Sequence, residues 1–140
     1  MNTVRNLHHL NARDMGTRKG ASLVTSTGMP ALDELLPDSG WPKGGLVEIL
    51  VSGRSAASVE LVLPALARLG RQGRWTAMVT PPHAARSAVF TAPGINASRL
   101  LQVNPHPGRS GLWTVESMLC SGDFGSVLAW PACETGLMDK

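Results

Sequence analysis

The sequence predicts an α/β fold with a mostly parallel sheet, on three observations. Short apolar strand candidates alternate with stretches of helical period, the pattern of a parallel sheet covered on both faces. Glycine and proline, 15 and 10 of the 140 residues, punctuate the chain densely enough to supply the connections. The first strong strand candidate runs into a glycine-containing loop and then a helix, the order of a nucleotide-binding unit.

Residues 1 to 22 are polar and basic, with His8, His9, Arg13, Arg18 and Lys19. Their weak periodicity predicts a flexible tail ahead of one domain over residues 23 to 140. Thr27-Gly28-Met29-Pro30 reads as a helix start, Ala31–Leu36 as a short helix and Pro37-Asp38-Ser39-Gly40 as its end. Leu46–Val51 is a strand candidate in which Glu48 is the one non-apolar exception. Ser58–Leu69 has helical period, with Val59, Val62, Leu63, Leu66 and Leu69 on one side and Pro64 placed to kink it or end its first turn. Trp75–Thr80 is a strand stopped by Pro81-Pro82, and His83–Thr91 a helix closed by Pro93-Gly94. Arg99–Val103 is a strand, Leu112–Cys120 a helix with Leu112, Val115 and Leu119 as its apolar stripe, and Ser126–Trp130 a strand. Only Gly136-Leu137-Met138 remains to cover that last strand. The sequence therefore reads as truncated at its C-terminal end, or as completed by oligomerisation into a homodimer.

Composition excludes several classes. No apolar run approaches the ~18 residues of a membrane helix, and the N-terminus lacks the apolar segment of a signal peptide, so a cytoplasmic protein is expected. Cys120 and Cys133 are the only cysteines and have no ligand spacing with histidine. A metal site is not expected, and two reduced thiols are the simpler reading. The net charge of +3 is unevenly spread. Between Glu48 and Glu116 the only acid is Glu60, while Arg54, Arg68, Arg71, Arg74, Arg86, Arg99 and Arg109 fall in the same stretch. That field suits an acidic protein surface or nucleic acid, or is a solvated basic face with no partner.

The loop after Val51 is a nucleotide loop without its chemistry. A P-loop requires Gly, four residues, then Gly-Lys-Ser/Thr. Gly53 holds the first glycine position, but Ser58 replaces the second, Val59 the phosphate-binding lysine and Glu60 the Mg²⁺-binding hydroxyl. Valine cannot neutralise phosphate, and a carboxylate at the metal-ligand position faces like charge. No cofactor is expected.

Two groups of stretches carry a family likeness. Leu63–Trp75 with Thr80-Pro81, and Thr114–Met118 with Gly122 and Ser126–Trp130, resemble the bacterial cell-division inhibitor SulA, made in the SOS response. Thr27-Gly28, Ala31-Leu32-Asp33, Leu36-Pro37, Gly40–Gly44 and Glu48-Ile49 resemble ImuA, a RecA-like accessory of SOS-induced translesion synthesis. The joint likeness covers about residues 25 to 131. It implies a reduced RecA-like three-layer fold. On the SulA side it implies binding to the tubulin-like FtsZ and a block of its polymerisation. On the ImuA side it implies association with a translesion polymerase partner or with RecA. It also implies no ATPase. In RecA the strand ending Met78-Val79-Thr80 is followed by a catalytic Glu, where this chain offers Pro82. Val127-Leu128-Ala129 is followed by Trp130 where RecA has an Asp, and Asp123 lies at the other end of that strand.

The SulA likeness places Arg74 and Arg99 at partner-binding positions, with Trp75 beside them and Val79 and Val89 as nearby apolar positions. Arginine suits such contacts because its planar fork pairs with carboxylates and also packs. The competing readings are a strand-entrance role for Arg74, a solvated Arg99, and core positions for Trp75, Val79, Val89 and Trp130. Trp41 in its Gly/Pro loop is open between packing and contact, and Trp113 starts a helix. Glu116-Ser117 has no histidine near it in sequence, and His8, His9, His83 and His106 show no ligand spacing.

Overall fold

The computed structural model describes residues 3–6, 23–51, 57–106 and 111–131. The chain divides into two compact units, Met1–Ala65 and Leu66–Lys140.

In the first unit, β1 (Thr3–Asn6) pairs antiparallel with β4 (Val47–Leu50), with Arg5 opposite Glu48 in the register. This corrects the expectation of a flexible tail at residues 3–6. It also removes β4 from the parallel sheet among the described residues. The physical reason is visible in β4 itself, where Val47 and Ile49 are half-buried and Glu48 and Leu50 exposed. Such alternation belongs to a strand with one solvated face, not to one buried on both. The backbone groups along its edge still require partners, and β1 supplies them.

β2 (Val24–Thr25) and β3 (Trp41–Pro42) form a second small antiparallel pair enclosing α1 (Pro30–Leu35) and a 3₁₀ turn (Pro37–Ser39). Pro30 starts α1, where its missing N–H costs nothing. The Asp33 carboxylate reaches back and accepts from the Thr27 N–H at 2.8 Å and from Ser26 Oγ at 2.6 Å. Thr27, fully buried, exchanges 3.0 Å bonds with the Met29 backbone through Oγ1. Trp41 is buried at 7% exposure, which decides for packing over contact.

The expected single helix over 58–69 is two: α2 (Ala57–Glu60) and α3 (Leu63–Arg71), separated by the turn at Leu61-Val62. Pro64 falls in the first turn of α3, the only helical turn that tolerates a missing N–H.

The second unit is built on a three-stranded parallel sheet in the order β6-β5-β7, with β5 (Trp75–Val79) central, β6 (Leu100–Val103) on one side and β7 (Phe124–Ala129) on the other. α4 (His83–Thr91) links β5 to β6, and α5 (Gly111–Ser121) carries the chain back past β5 to β7. Right-handed crossovers running in opposite directions put α4 and α5 on opposite faces of the sheet. That is a three-layer α/β arrangement. The central strand is accordingly the driest, with Ala77, Met78 and Val79 at 0–1% exposure. α5 packs on β5 and β7, and α4 buries Ala85 and Val89. The outward side of α5 carries Leu112, Trp113 and Leu119, so the expected apolar stripe is split rather than buried whole. No helix among the described residues is long and apolar enough to cross a membrane.

Candidate functional site

In α/β sheets ligands ordinarily bind beyond the carboxyl ends of the strands. Here that edge is closed by backbone bonding. Thr80 follows β5 with φ +52°, and its N–H donates to the Val103 carbonyl at 2.9 Å. Its hydroxyl lies 2.8 Å from the Val79 carbonyl and 2.9 Å from that of Trp130, while the Trp130 N–H donates to Val79 at 3.2 Å. Thr80 thus knits the ends of all three strands. The residues that follow them are Pro81-Pro82, Asn104-Pro105-His106 and Trp130-Pro131, with no carboxylate. No cluster of three or more metal-ligating side chains exists among the described residues.

At the degenerate loop, Val59 is buried at 1% exposure, Ser58 half-buried and Glu60 exposed. The side chain in the lysine position is therefore a core contact. Gly53 lies outside the described residues.

The opposite, amino-terminal edge of the sheet collects the charged and aromatic residues singled out from sequence. Arg74 arrives there by the way α3 ends. Gly73 takes φ +73°, the Arg74 N–H donates to the Leu69 carbonyl at 2.9 Å, and the Gly73 N–H to Gly70 at 3.1 Å. This is a Schellman ending. It sets Arg74 at the mouth of β5, where its Nη2 donates to the Phe124 carbonyl at 3.4 Å. The side chain crosses β7 at Gly125, where a Cβ would stand 2.8 Å from Arg74 Cβ. Arg99 arrives by a 3₁₀ turn (Ala97–Arg99), capped by Asn96 Oδ1 accepting from the Ser98 N–H at 3.1 Å and Oγ at 2.6 Å. That turn lays the Arg99 guanidinium over Trp75, 5.3 Å from the ring centroid, within cation–π range.

A register shift between Trp75 and Thr76 sets Phe124 opposite Trp75 while Ser126 stays opposite Thr76, the two hydroxyls sharing a 2.8 Å hydrogen bond. Trp75, Leu101, Asp123 and Phe124 then line a shallow groove of about 360 Å³. Arg74, Arg99 and Trp75 are thus brought together. Val79 and Val89 are not: at 1% and 0% exposure they are core, and no partner reaches them without opening the fold. They leave the candidate surface, because the inward positions of a central strand and of its covering helix are both dry. Leu101, Asp123 and Phe124 were missed. The sequence marks only the end of the strand on which Asp123 falls; the pairing that joins it to Trp75 is not local.

The fold and its two edges define an α/β protein with a parallel sheet whose carboxyl edge carries no carboxylate among the described residues. The comparison with known proteins places it more closely. The RecA N-terminal domain family matches residues 12–129, and the chain belongs to that family. Among its relatives are the RecA proteins of Latilactobacillus sakei, 33% identical over 109 residues (77% of this chain, 30% of the relative), of Desulforapulum autotrophicum, 34% over 99 residues (71% and 28%), and of Anaplasma marginale strain Florida, 35% over 97 residues (69% and 27%). The chain spans about 30% of the length of these curated relatives. The match shows the RecA family and shows neither the SulA nor the ImuA likeness.

Proposed function

We propose that this chain is a non-catalytic member of the RecA family that serves the response to DNA damage by binding another protein. The observation that carries the reading is the contrast between the two sheet edges. The carboxyl edge holds Thr80, prolines and Trp130, and Val59 is buried at the position of the phosphate-binding lysine. Phosphoryl transfer needs a base, a metal organiser and a phosphate cradle, and these positions supply none of the three. The amino edge holds two arginines and an aromatic ring, the residue types of protein-contact hot spots.

Two partner classes follow from the resemblances. FtsZ is the partner of the division-inhibitor reading, which rests on Arg74, Trp75 and Arg99 and loses Val79 and Val89. The translesion reading, with a polymerase partner or RecA, draws on Thr27–Ile49. The RecA family match, over residues 12–129, takes in that front segment and the Arg74–Arg99 region alike and favours neither reading. The front segment is a built unit, tied by Asp33 to Ser26 and Thr27.

The test sets purified protein against FtsZ with GTP, followed by light scattering, and against lysate of DNA-damaged cells in a capture experiment with Arg74→Ala as control. Loss of FtsZ polymer selects the division inhibitor; Arg74-dependent capture of a translesion polymerase or RecA selects the accessory. ATP turnover that responds to substitution of Gly53 refutes the non-catalytic reading altogether.

A further inference from the structure

The groove at the amino edge of the sheet has a shape and charge that name its occupant. Its floor is apolar: Trp75 and Phe124 are half-buried, and Leu101 keeps 39% of its surface exposed. Asp123 is the one charged residue in its lining, and two of the other lining residues each meet a guanidinium: Arg99 lies over the Trp75 ring, and Arg74 donates to the Phe124 carbonyl. Neither guanidinium has a carboxylate partner among the described residues. A cation–π contact uses no hydrogen bond of the Arg99 guanidinium, whose N–H fork is the group that pairs bidentately with a carboxylate. Both side chains are held in advance, Arg74 by the Schellman ending of α3 and the Phe124 carbonyl, Arg99 by the Asn96-capped turn and the indole. Holding them so removes part of the ordering cost of binding. The volume, about 360 Å³, lies at the low end of the roughly 300–1,000 Å³ of ligand pockets and suits one large side chain rather than a folded surface.

We propose that this groove binds a short acidic segment of the partner protein that carries one large apolar side chain. The apolar side chain seats on Trp75, Leu101 and Phe124, and flanking carboxylates pair with Arg99 and Arg74. Asp123 at the groove wall orients the segment by accepting from a backbone N–H and disfavours a carboxylate at that end. This deepens the protein-binding reading and rests on it.

The probe is a peptide, Ser-Asp-Glu-Phe-Glu-Asp-Ser, titrated into the ¹⁵N-labelled full chain and followed by amide and indole N–H shifts. The expected result is saturable shifts confined to Trp75, Leu101, Phe124 and their neighbours. Replacing the peptide's Phe by Ser, or its acids by Lys, weakens binding at least about tenfold. Leu101→Asp, at a position 39% exposed, abolishes the peptide-induced shifts while the variant's own spectrum keeps the dispersion of a folded chain. No saturable shift, shifts centred elsewhere, or equal binding of the lysine peptide overturns the proposal. Partner capture then separates the two claims. Capture that Arg74→Ala prevents but the peptide and Leu101→Asp leave untouched overturns the groove and keeps the protein-binding reading. Capture blocked by all three supports both.

Discussion

The Arg99 guanidinium lies over the ring of Trp75 at 5.3 Å from its centroid, joining the turn before β6 to the first residue of β5. Such contacts contribute about 0.5–1 kcal/mol at exposed sites. A double-mutant cycle of Arg99→Ala and Trp75→Leu, read by denaturant unfolding, is expected to give a coupling of that size. Arg99→Lys keeps the charge but not the planar stack and should lose most of the coupling. Additivity of the two single changes within experimental error would remove the stack from the account of how Arg99 is held.

Gly125 is needed for Arg74 to pass. An added Cβ would meet Arg74 Cβ at 2.8 Å and Leu69 Cδ2 at 3.3 Å. The nearer atom is fixed to the backbone, so the strands must part locally, at about 1–3 kcal/mol. Gly125→Ala is therefore expected to destabilise by that amount. Arg74→Ala retains the offending Cβ and should not rescue it, whereas Arg74→Gly should recover part of the loss. Thermal or urea unfolding of the set decides; rescue by Arg74→Ala would place the clash in the guanidinium stem instead.

Much of this architecture was legible in the sequence, for reasons that differ by element. Trp75–Val79 and His83–Thr91 were read nearly to the residue because prolines and glycines bound them and their apolar periods are unambiguous. The break ahead of Pro64 was legible from proline chemistry alone. β1 was not, since Thr3–Asn6 carries no apolar period and its strand state is set by the edge of β4, far along the chain. The charge of Glu48 signalled a half-solvated strand, and the sequence reading passed over it. Around the groove, Arg74, Trp75 and Arg99 were singled out by family likeness, while Leu101 and Phe124 depend on the β6-β5-β7 order and on a register shift. Nothing local in the sequence encodes either. For Val79 and Val89 the core reading holds and the partner-binding one does not, since proximity in sequence to an arginine says nothing about which way a side chain faces.

Thr80 holds a β-branched residue at φ +52°, a conformation such residues rarely adopt. Its hydroxyl, within 2.9 Å of the Trp130 carbonyl, is what the strained backbone provides in return. Thr80→Val keeps the strain and removes the hydrogen bond, and should cost about 1–3 kcal/mol. Thr80→Gly removes both the strain and the bond, so it should destabilise less than the valine variant despite the flexibility of glycine. Chemical denaturation of the two proteins tests the order. Valine tolerated better than glycine would mean that the strain at Thr80 costs less than the flexibility glycine adds, and a valine variant as stable as the parent would mean that the hydroxyl contributes nothing.

Asp33 accepts at 2.8 Å from the backbone N–H of Thr27, a residue with no solvent exposure. Removing the carboxylate leaves that N–H buried without its acceptor, at a cost of about 1–3 kcal/mol. Asp33→Ala should therefore destabilise the first unit by that much. Asp33→Asn preserves one carbonyl oxygen for Thr27 and offers its amide to Ser26 Oγ, which already accepts from the Gly28 N–H and has a second lone pair free for it. It should lose less than half of what the alanine variant loses. Amide hydrogen exchange at Thr27 distinguishes this from a general loosening. In Asp33→Ala its protection should fall well before that of Ala77 and Met78 in the parallel sheet. Equal loss at all three sites would show instead that Asp33 stabilises the chain as a whole and that the Ser26–Met29 turn has no separate dependence on it.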